Sequence, residues 1–288
     1  MIHQIPLERA NLQGQFSRDF EPMLSVDPGD SVRIDVPNAG WHLELDRPMW
    51  PREQLEGLGH ALAGPIEVRG ARAGQTLAVR VDEVTPGSWG ITITRPPEEH
   101  VIVWELDGRT GMANGIEVEL SPFLGVMGMP PPEPGEHPTF PPRPWGWNID
   151  CKELVVGTTL FLPIPVDGAL FSAGDGHALQ ADGEVCGTAI ECPASAQLTL
   201  DLRDDLELQW PIARTASSWL TFGFDPELGE AARIALDGML DLMQREHSFE
   251  REEAHALASL VVDLRVTQVA NHVLGVHAVL PDDALRFT

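Results

Sequence analysis

The chain has 288 residues, 43% of them hydrophobic, with 27 glycines, 25 prolines and a formal net charge of −25 that includes one lysine, Lys152. Such an acidic chain excludes nucleic acid and anionic membrane surfaces as partners, since both need clustered Lys and Arg. The hydrophobic fraction excludes disorder, and the length suits one large domain or a main domain with a smaller companion.

The N-terminus, "MIHQIPLERANLQGQF", has no basic stretch leading into an apolar run. No segment of about 18 apolar residues could span a bilayer. The expectation is a soluble cytoplasmic protein. In the first third, "SVRIDV" (31–36), "IEVRG" (66–70), "TLAVRVDEV" (76–84) and "GITITR" (90–95) place apolar side chains on roughly every second residue. That is the period of a half-buried sheet. Turn sequences such as "DPGD" (27–30) and "TPGSWG" (85–90) separate these runs, which is the rhythm of a β-sandwich or barrel.

Residues 130–144 contain eight prolines, which rules out helix or central strand. The tryptophans that follow, Trp145 and Trp147, favour a rigid loop laid over something rather than a solvated linker. Strand-like runs resume at 153–166, 168–174, 184–192 and 196–203. Residues 225–247 then read as a helix. Asp225 suits its N-cap, Pro226 its first turn, and Leu228, Ala232, Ala235, Met239 and Leu242 form one apolar stripe. A second helix is expected from after Ser248 to about 262, then strand and loop to the end. The expected fold class is therefore a mainly β body, sandwich- or barrel-like, over 1–205, with a smaller α+β segment over 206–288 packed on it.

The chemistry concentrates in "SAGDGHALQADGEVCGTAIEC" (172–192), which holds Asp175, His177, Gln180, Asp182, Glu184 and Glu191. In an extended chain, residues two apart share a face. Asp175 and His177 can then point together, as can Asp182 and Glu184. Carboxylates with an imidazole are a donor set for Zn²⁺ or another borderline divalent ion, and a spare carboxylate can serve as base. The same spacing also fits plain surface turns, because "GDG" and "ADG" are turn sequences. No HExxH or CxxC pattern decides between the two. In "GWNIDCK" (146–152), Asn148 and Asp150 are likewise two apart, and a turn entering a strand explains them equally. Cys151, Cys186 and Cys192 are an odd set, unlike a disulfide framework. Cys186 with His177 would be a nucleophile pair, but Val185 and Gly187 suggest an inert cysteine on a strand. Lys152 suits a catalytic role or a carboxylate anchor equally. His60, just before a Gly-Pro turn, and then His42 are the other histidines placed to reach a site, whereas His255, His272 and His277 suggest packing or surface roles.

"NIDCKELVVGTTLFLPIPVDGALFSAGDGHALQADGEVCGTAIE" closely resembles the core of the acetamidase/formamidase family, with its Asn-x-Asp element, "GALF", "GD-x-H-A-x-Q" and "GTAIE". "GPIEVRGARAGQTLAVRV", "LSPFLGVMGMPP" and the C-terminal "EEAHALASLVVDLRVTQVANHVLGVHAVLP" are similar to other stretches of that family, so the resemblance covers nearly the whole chain. Three positions depart from it: Ala181 replaces a glycine, Trp147 the second of two glycines, and Gln75 an aspartate. The resemblance implies hydrolysis of a small linear amide to carboxylate and ammonia, a bound divalent metal (zinc), and a homodimer or larger homo-oligomer. It assigns Asp150, His177 and Glu191 to the metal and Glu184, Gln180 and Asp175 to catalysis. It places Asn148, with the divergent Trp147 and Ala181, against the substrate. Two rival readings are a cysteine amidase using Cys186 and a non-catalytic metal- or small-molecule-binding β protein.

Overall fold

The computed structural model describes residues 1–94 and 99–286. Among these, two large sheets and two α-helices make up the body. The first sheet has nine strands in the order Ile2–Ile5, Asp30–Val36, Ala194–Arg203, Thr76–Pro86, Thr159–Pro163, Ile212–Arg214, Ser218–Asp225, Leu274–Pro281 and Asp263–Gln268. The second runs from the hairpin strands Ile116–Glu119, Thr110–Ala113 and Val101–Leu106 through Trp89–Ile93, Glu191–Cys192 and Phe171–His177 to Phe123–Gly128 and Gly146–Asn148. Strand Leu62–Val68 also joins it, pairing with Phe171–His177. Neither sheet closes into a barrel.

The alternation that marks these strands also builds the core. Val32, Ile34, Val79, Val81 and Leu198 of the first sheet share one buried cluster with Ala63, Ile66, Leu124, Met127, Phe171 and Ala173 of the second. This is sandwich packing, in which inward side chains of both sheets meet. The expected strand "GITITR" is present as Trp89–Ile93, and Arg95 at its end lies outside the described residues.

Helix α1 (Leu228–His247) and helix α2 (Arg251–Val261) cover the far end of the first sheet. Ala231, Ala235, Met239, Leu242 and Met243 bury α1 against Val276, Ala278 and Leu280. The helix starts two residues later than its Asp225 signal suggests. Asp225 ends a strand, and its carboxylate accepts the Glu227 N–H at 2.8 Å, so Pro226 and Glu227 form a turn before the first helical residue. Leu228 accordingly stands partly exposed rather than heading the apolar stripe. Neither helix is long and apolar enough to cross a membrane.

Two other segments depart from the sequence reading. Residues 184–192 are not a continuous strand. Glu184 (φ 44°) and Gly187 (φ 90°) reverse the chain, leaving only Glu191–Cys192 in the sheet. Conversely, "GDG" is no surface turn, because the strand begins at Phe171 and runs through His177.

The C-terminal strands are welded to the body by a buried polar cluster. Glu153 accepts from Cys151 Sγ (3.2 Å), pairs with Arg265 Nη1 (3.0 Å) and faces His277 Nε2 at 3.5 Å. Burial alone would raise the Glu153 pKa, but the hydrogen bond and charge of His277 outweigh it and hold the carboxyl down at about 2. Its contribution to stability is thus full above the unfolded carboxyl value of about 4.3 and is lost as pH falls through about 2. Glu153→Ala removes the carboxylate that faces the fully buried His277 and pairs with Arg265. Breaking a buried pair costs about 3 kcal/mol, so thermal melts at pH 7 should drop by roughly 10 °C.

Candidate functional site

The site forms where the second sheet narrows to strand Phe171–His177 and its neighbours. His177 lies opposite Glu191 in the ladder, a register that puts the two side chains on one face. Its Nε2 is 3.4 Å from Asp175 Oδ2 and 3.4 Å from Glu191 Oε2. Its Nδ1 lies 2.9 Å from Gln180 Oε1, while Gln180 Nε2 donates to the Asp150 carbonyl at 2.6 Å. Because Gln180 spends its amide N–H on that carbonyl, its oxygen faces the ring. The Nδ1 therefore carries the proton, and Nε2 is turned to the carboxylates.

Asn148 and Asp150 come from the end of the outer strand Gly146–Asn148 and the turn after it. Both Ile149 and Asp150 direct their N–H groups at the Gly125 carbonyl (3.1 and 3.3 Å). Gly125 is needed for this approach. A Cβ there would lie 2.6 Å from Asp175 Oδ2, 2.7 Å from Asp150 Oδ1 and 2.8 Å from the His177 ring. Glu184 arrives from a loop that Gly183 (φ 93°) turns inward. Gly183 is pinned by hydrogen bonds from its N–H to the Thr267 carbonyl (3.0 Å) and from the Val269 N–H to its own carbonyl (2.8 Å). Asp150, Asp175 and Glu184 all have positive φ. Such backbone is costly for residues with a Cβ and clusters at functional sites.

The electrostatics follow from burial. Burial alone would lower the His177 pKa, but the Glu191 and Asp175 carboxylates raise it well above the ordinary range. Burial would raise Asp175, yet the His177 and His60 charges hold it well below the ordinary carboxylate value. Asp150 is pushed well up by burial and by the Glu184 charge. Glu184 is raised to about 7, chiefly by burial.

Asn148 Oδ1, both oxygens of Asp150, Asp175 Oδ1, Glu184 Oε2 and Glu191 Oε2 are buried without a hydrogen-bond donor from the described residues. Acceptors gathered this way call for a cation. Two triads sharing His177 could hold one: Asp175·His177·Glu191 and Asp150·His177·Glu184. Tetrahedral ligands at about 2.0–2.1 Å from one ion lie about 3.3 Å apart, close to the 3.4 Å separations of His177 Nε2 from Asp175 and Glu191. The residues therefore fit a divalent metal. Asp150, which the resemblance sets with His177 and Glu191, lies in the triad with His177 and Glu184.

A cavity of about 820 Å³ opens over these groups, and Asn148, Asp150, Asp175, His177, Glu184 and Glu191 line it. Three residues expected near the chemistry do not. Gln180 is buried behind His177 and positions it. Ala181 is exposed outside the cavity. Trp147 stacks on Phe16 (centroids 4.7 Å apart) and donates its indole N–H to the Met129 carbonyl at 2.7 Å. Asp182, two residues from Glu184, points outward to Lys152 (2.8 Å). Cys186 lies in a turn rather than on a strand, donates to the Thr188 carbonyl at 3.4 Å and does not line the cavity. Burial pushes the Cys192 thiol to about 12 and the Cys151 thiol well up, so both stay protonated.

The Pro-rich loop does cover something. Its Thr139 hydroxyl accepts the His60 backbone N–H (2.9 Å) and bonds His60 Nδ1 (2.8 Å), and Phe140 packs on the imidazole ring. His60 thus lines the same cavity as the carboxylates, and its place before the Gly-Pro turn was the signal for it. His42, next in that reading, also lines the cavity, whereas Gly125 and the rest of the wall from residues 38–59 carried no comparable signal.

A candidate formamidase of Schizosaccharomyces pombe is 26% identical over 262 residues, covering 65% of this chain and 63% of that protein. An acetamidase of Mycolicibacterium smegmatis is 44% identical over 66 residues, 22% of this chain and 16% of its own length. The chain thus spans less than two thirds of the curated relatives it matches. The crystal structure of an acetamidase from Yersinia enterocolitica superposes with a TM-score of 0.90 at 24% identity, over 99% of this chain and 94% of that one, which shows a shared fold. The model of the Acetamidase/Formamidase family matches residues 135–285. That span includes Asn148, Asp150 and the whole stretch from Asp175 to Glu191, so the matched half of the chain is the half that bears the buried carboxylates. The chain belongs to the acetamidase/formamidase family.

Proposed function

We propose that the protein hydrolyses the C–N bond of a carboxamide to carboxylate and ammonia, at the cluster centred on His177. The observation that carries this reading is the set of buried, donor-less carboxylates around an imidazole whose tautomer is fixed by Gln180, at the floor of an open cavity. Amide hydrolysis needs an activated water, a stabilised oxyanion and a proton for the leaving nitrogen. A divalent ion held by His177, Asp175 and Glu191, zinc by its donor set, supplies a polarised carbonyl and an acidified water when bound. Glu184, with a pKa brought to about 7 by burial, is suited to take a proton from water and return it to the departing nitrogen. Asn148 turns its amide into the cavity and offers an N–H to the developing oxyanion. Gln180 keeps His177 Nε2 pointed at the ion. His60 lines the same cavity and can shield the site or donate to substrate.

The thiol mechanism loses support, since Cys186 neither lines the cavity nor contacts a histidine in it. A homodimer accords with the outer hairpin strands, where Val101, Val103, Met112 and Ile116 stand exposed.

The test is metal analysis of untagged protein alongside ammonia release from a panel of amides. About one divalent ion per site is expected. Chelation should abolish turnover and re-metallation restore it. Turnover unaffected by chelation would sink the metal mechanism. No turnover of any amide by metal-replete protein would favour a binding protein instead.

A further inference from the structure

The cavity is far larger than formamide or acetamide, each only a handful of heavy atoms. A pocket of about 300–1,000 Å³ houses a drug-sized molecule, and at about 820 Å³ this one lies near the top of that range. Its lining is also divided in character. The carboxylates, Asn148 and His177 occupy the floor, whereas Leu45, Leu55, Leu58, Ile91, Ile93 and Phe140 supply apolar wall. Ile91 and Ile93 alternate along strand Trp89–Ile93, so both project from one face of the sheet, beside Glu191, which pairs with Ile91. The apolar wall therefore begins next to the reacting centre. Wall of this kind contributes nothing to a one- or two-carbon acyl group.

Charge narrows the occupant further. Glu53 and Glu56 line the cavity along with Asp150, Asp175, Glu184 and Glu191, and no Lys or Arg appears among the described lining residues. With the ion and His177 committed to the reacting group, an anionic substituent on the acyl chain would meet Glu53 and Glu56 with no Lys or Arg to offset it, which is unfavourable.

We infer that the preferred substrate is a neutral primary amide with a bulky apolar acyl group, arylalkyl or branched alkyl, seated against Ile91, Ile93, Leu55 and Leu58. This rests on the amidase reading and specifies its substrate class. The bond broken is unchanged: water adds to the carbonyl, the C–N bond cleaves, and ammonia leaves with the proton relayed from that water. What changes is where binding energy originates. Seating one aromatic ring on an apolar wall is worth about 10- to 100-fold in kcat/KM, so phenylacetamide should exceed acetamide by up to about 100-fold.

The experiment compares kcat/KM for phenylacetamide, acetamide and succinamate with the metal-replete protein, and repeats the comparison for Ile93→Trp and Leu58→Trp. The expected order is phenylacetamide, then acetamide, with succinamate poorest. Either substitution should cut the phenylacetamide-to-acetamide ratio by about tenfold or more. Acetamide equal to or better than phenylacetamide would overturn the inference while leaving the amidase reading intact, as would a ratio that neither substitution moves. If neither amide is turned over, the amidase reading fails. Titration calorimetry then decides the pocket: tighter binding of phenylacetamide than of acetamide, weakened by Ile93→Trp, upholds it, and equal binding overturns it.

Discussion

Glu184→Gln is expected to keep the fold and lose turnover by about 10²–10⁴ in kcat, the range for removing a general acid–base group. Glutamine preserves volume and can still accept a hydrogen bond, so KM should change little. Glu184 is suited to this role because burial lifts its pKa to about 7, where a carboxyl is both a competent base and a competent acid. A base must be ionised, so the native rate should rise with pH and fall away on the acid side. That acid limb belongs at or below about 7, since a dication near the carboxylate favours its charged form and lowers the pKa further. Rate–pH profiles of ammonia release from both proteins check this. A variant with full rate, or one that keeps the same acid limb, removes Glu184 as the base.

His177→Ala should be more damaging still, because it removes one partner from both triads at once. Asp150, Asp175, Glu184 and Glu191 would face one another with no imidazole between them. Leaving a buried charge uncompensated costs about 3–5 kcal/mol, which for a chain of this size is on the order of 10 °C in Tm. Metal content should fall to background and turnover with it. Thermal melts and metal analysis of the purified variant separate the two effects. A variant that folds with native Tm and still retains stoichiometric metal would show that His177 is neither the electrostatic centre of the cluster nor a ligand. Gln180→Leu is the informative companion, because it frees the imidazole tautomer without removing a ligand.

These outcomes bear on how far the sequence could be read. Period-two alternation located the strands at 31–36, 76–84 and 196–203 because regular sheet imposes that period on residues facing a core. It failed where the backbone is irregular, and the site is built there. Asp182 and Glu184 are two apart and would share a face in a strand, yet Gly183 and Glu184 at positive φ send one to Lys152 on the rim and the other into the cavity. "GDG" has turn composition but lies within strand Phe171–His177, whose ladder Asp175 interrupts at φ 63°. Trp147 looked like a wall of the site because it is large and adjacent. Its indole instead fills a gap beside Phe16, Leu62 and Val126. Ala181, the departure that suggested altered specificity, points away from the cavity, whereas the apolar wall from 45–58 has no periodicity to announce it. Membership of the family was legible because the carboxylates, histidine and glycines of 148–191 sit in one contiguous block. The two carboxylate triads around His177 were not, because their close approach depends on Gly125, a residue with no side chain, in another strand.

The order of strands in the first sheet has a consequence for how the chain can be divided. Thr159–Pro163 pairs with Thr76–Pro86 on one side and with Ile212–Arg214 on the other, so the strands before position 205 and those after it are joined, at that one junction, into a single hydrogen-bonded sheet. What composition marks as a boundary between a β body and an α+β appendage is an interior seam. A fragment ending there would present Thr159–Pro163 as a naked edge, the kind of surface that recruits stray strands. It would also lack Ala270 and Asn271 from the cavity wall. The two stretches should therefore melt in one cooperative transition. The C-terminal helices, remote from the carboxylates, should influence the site through the stability of that shared sheet rather than through contact.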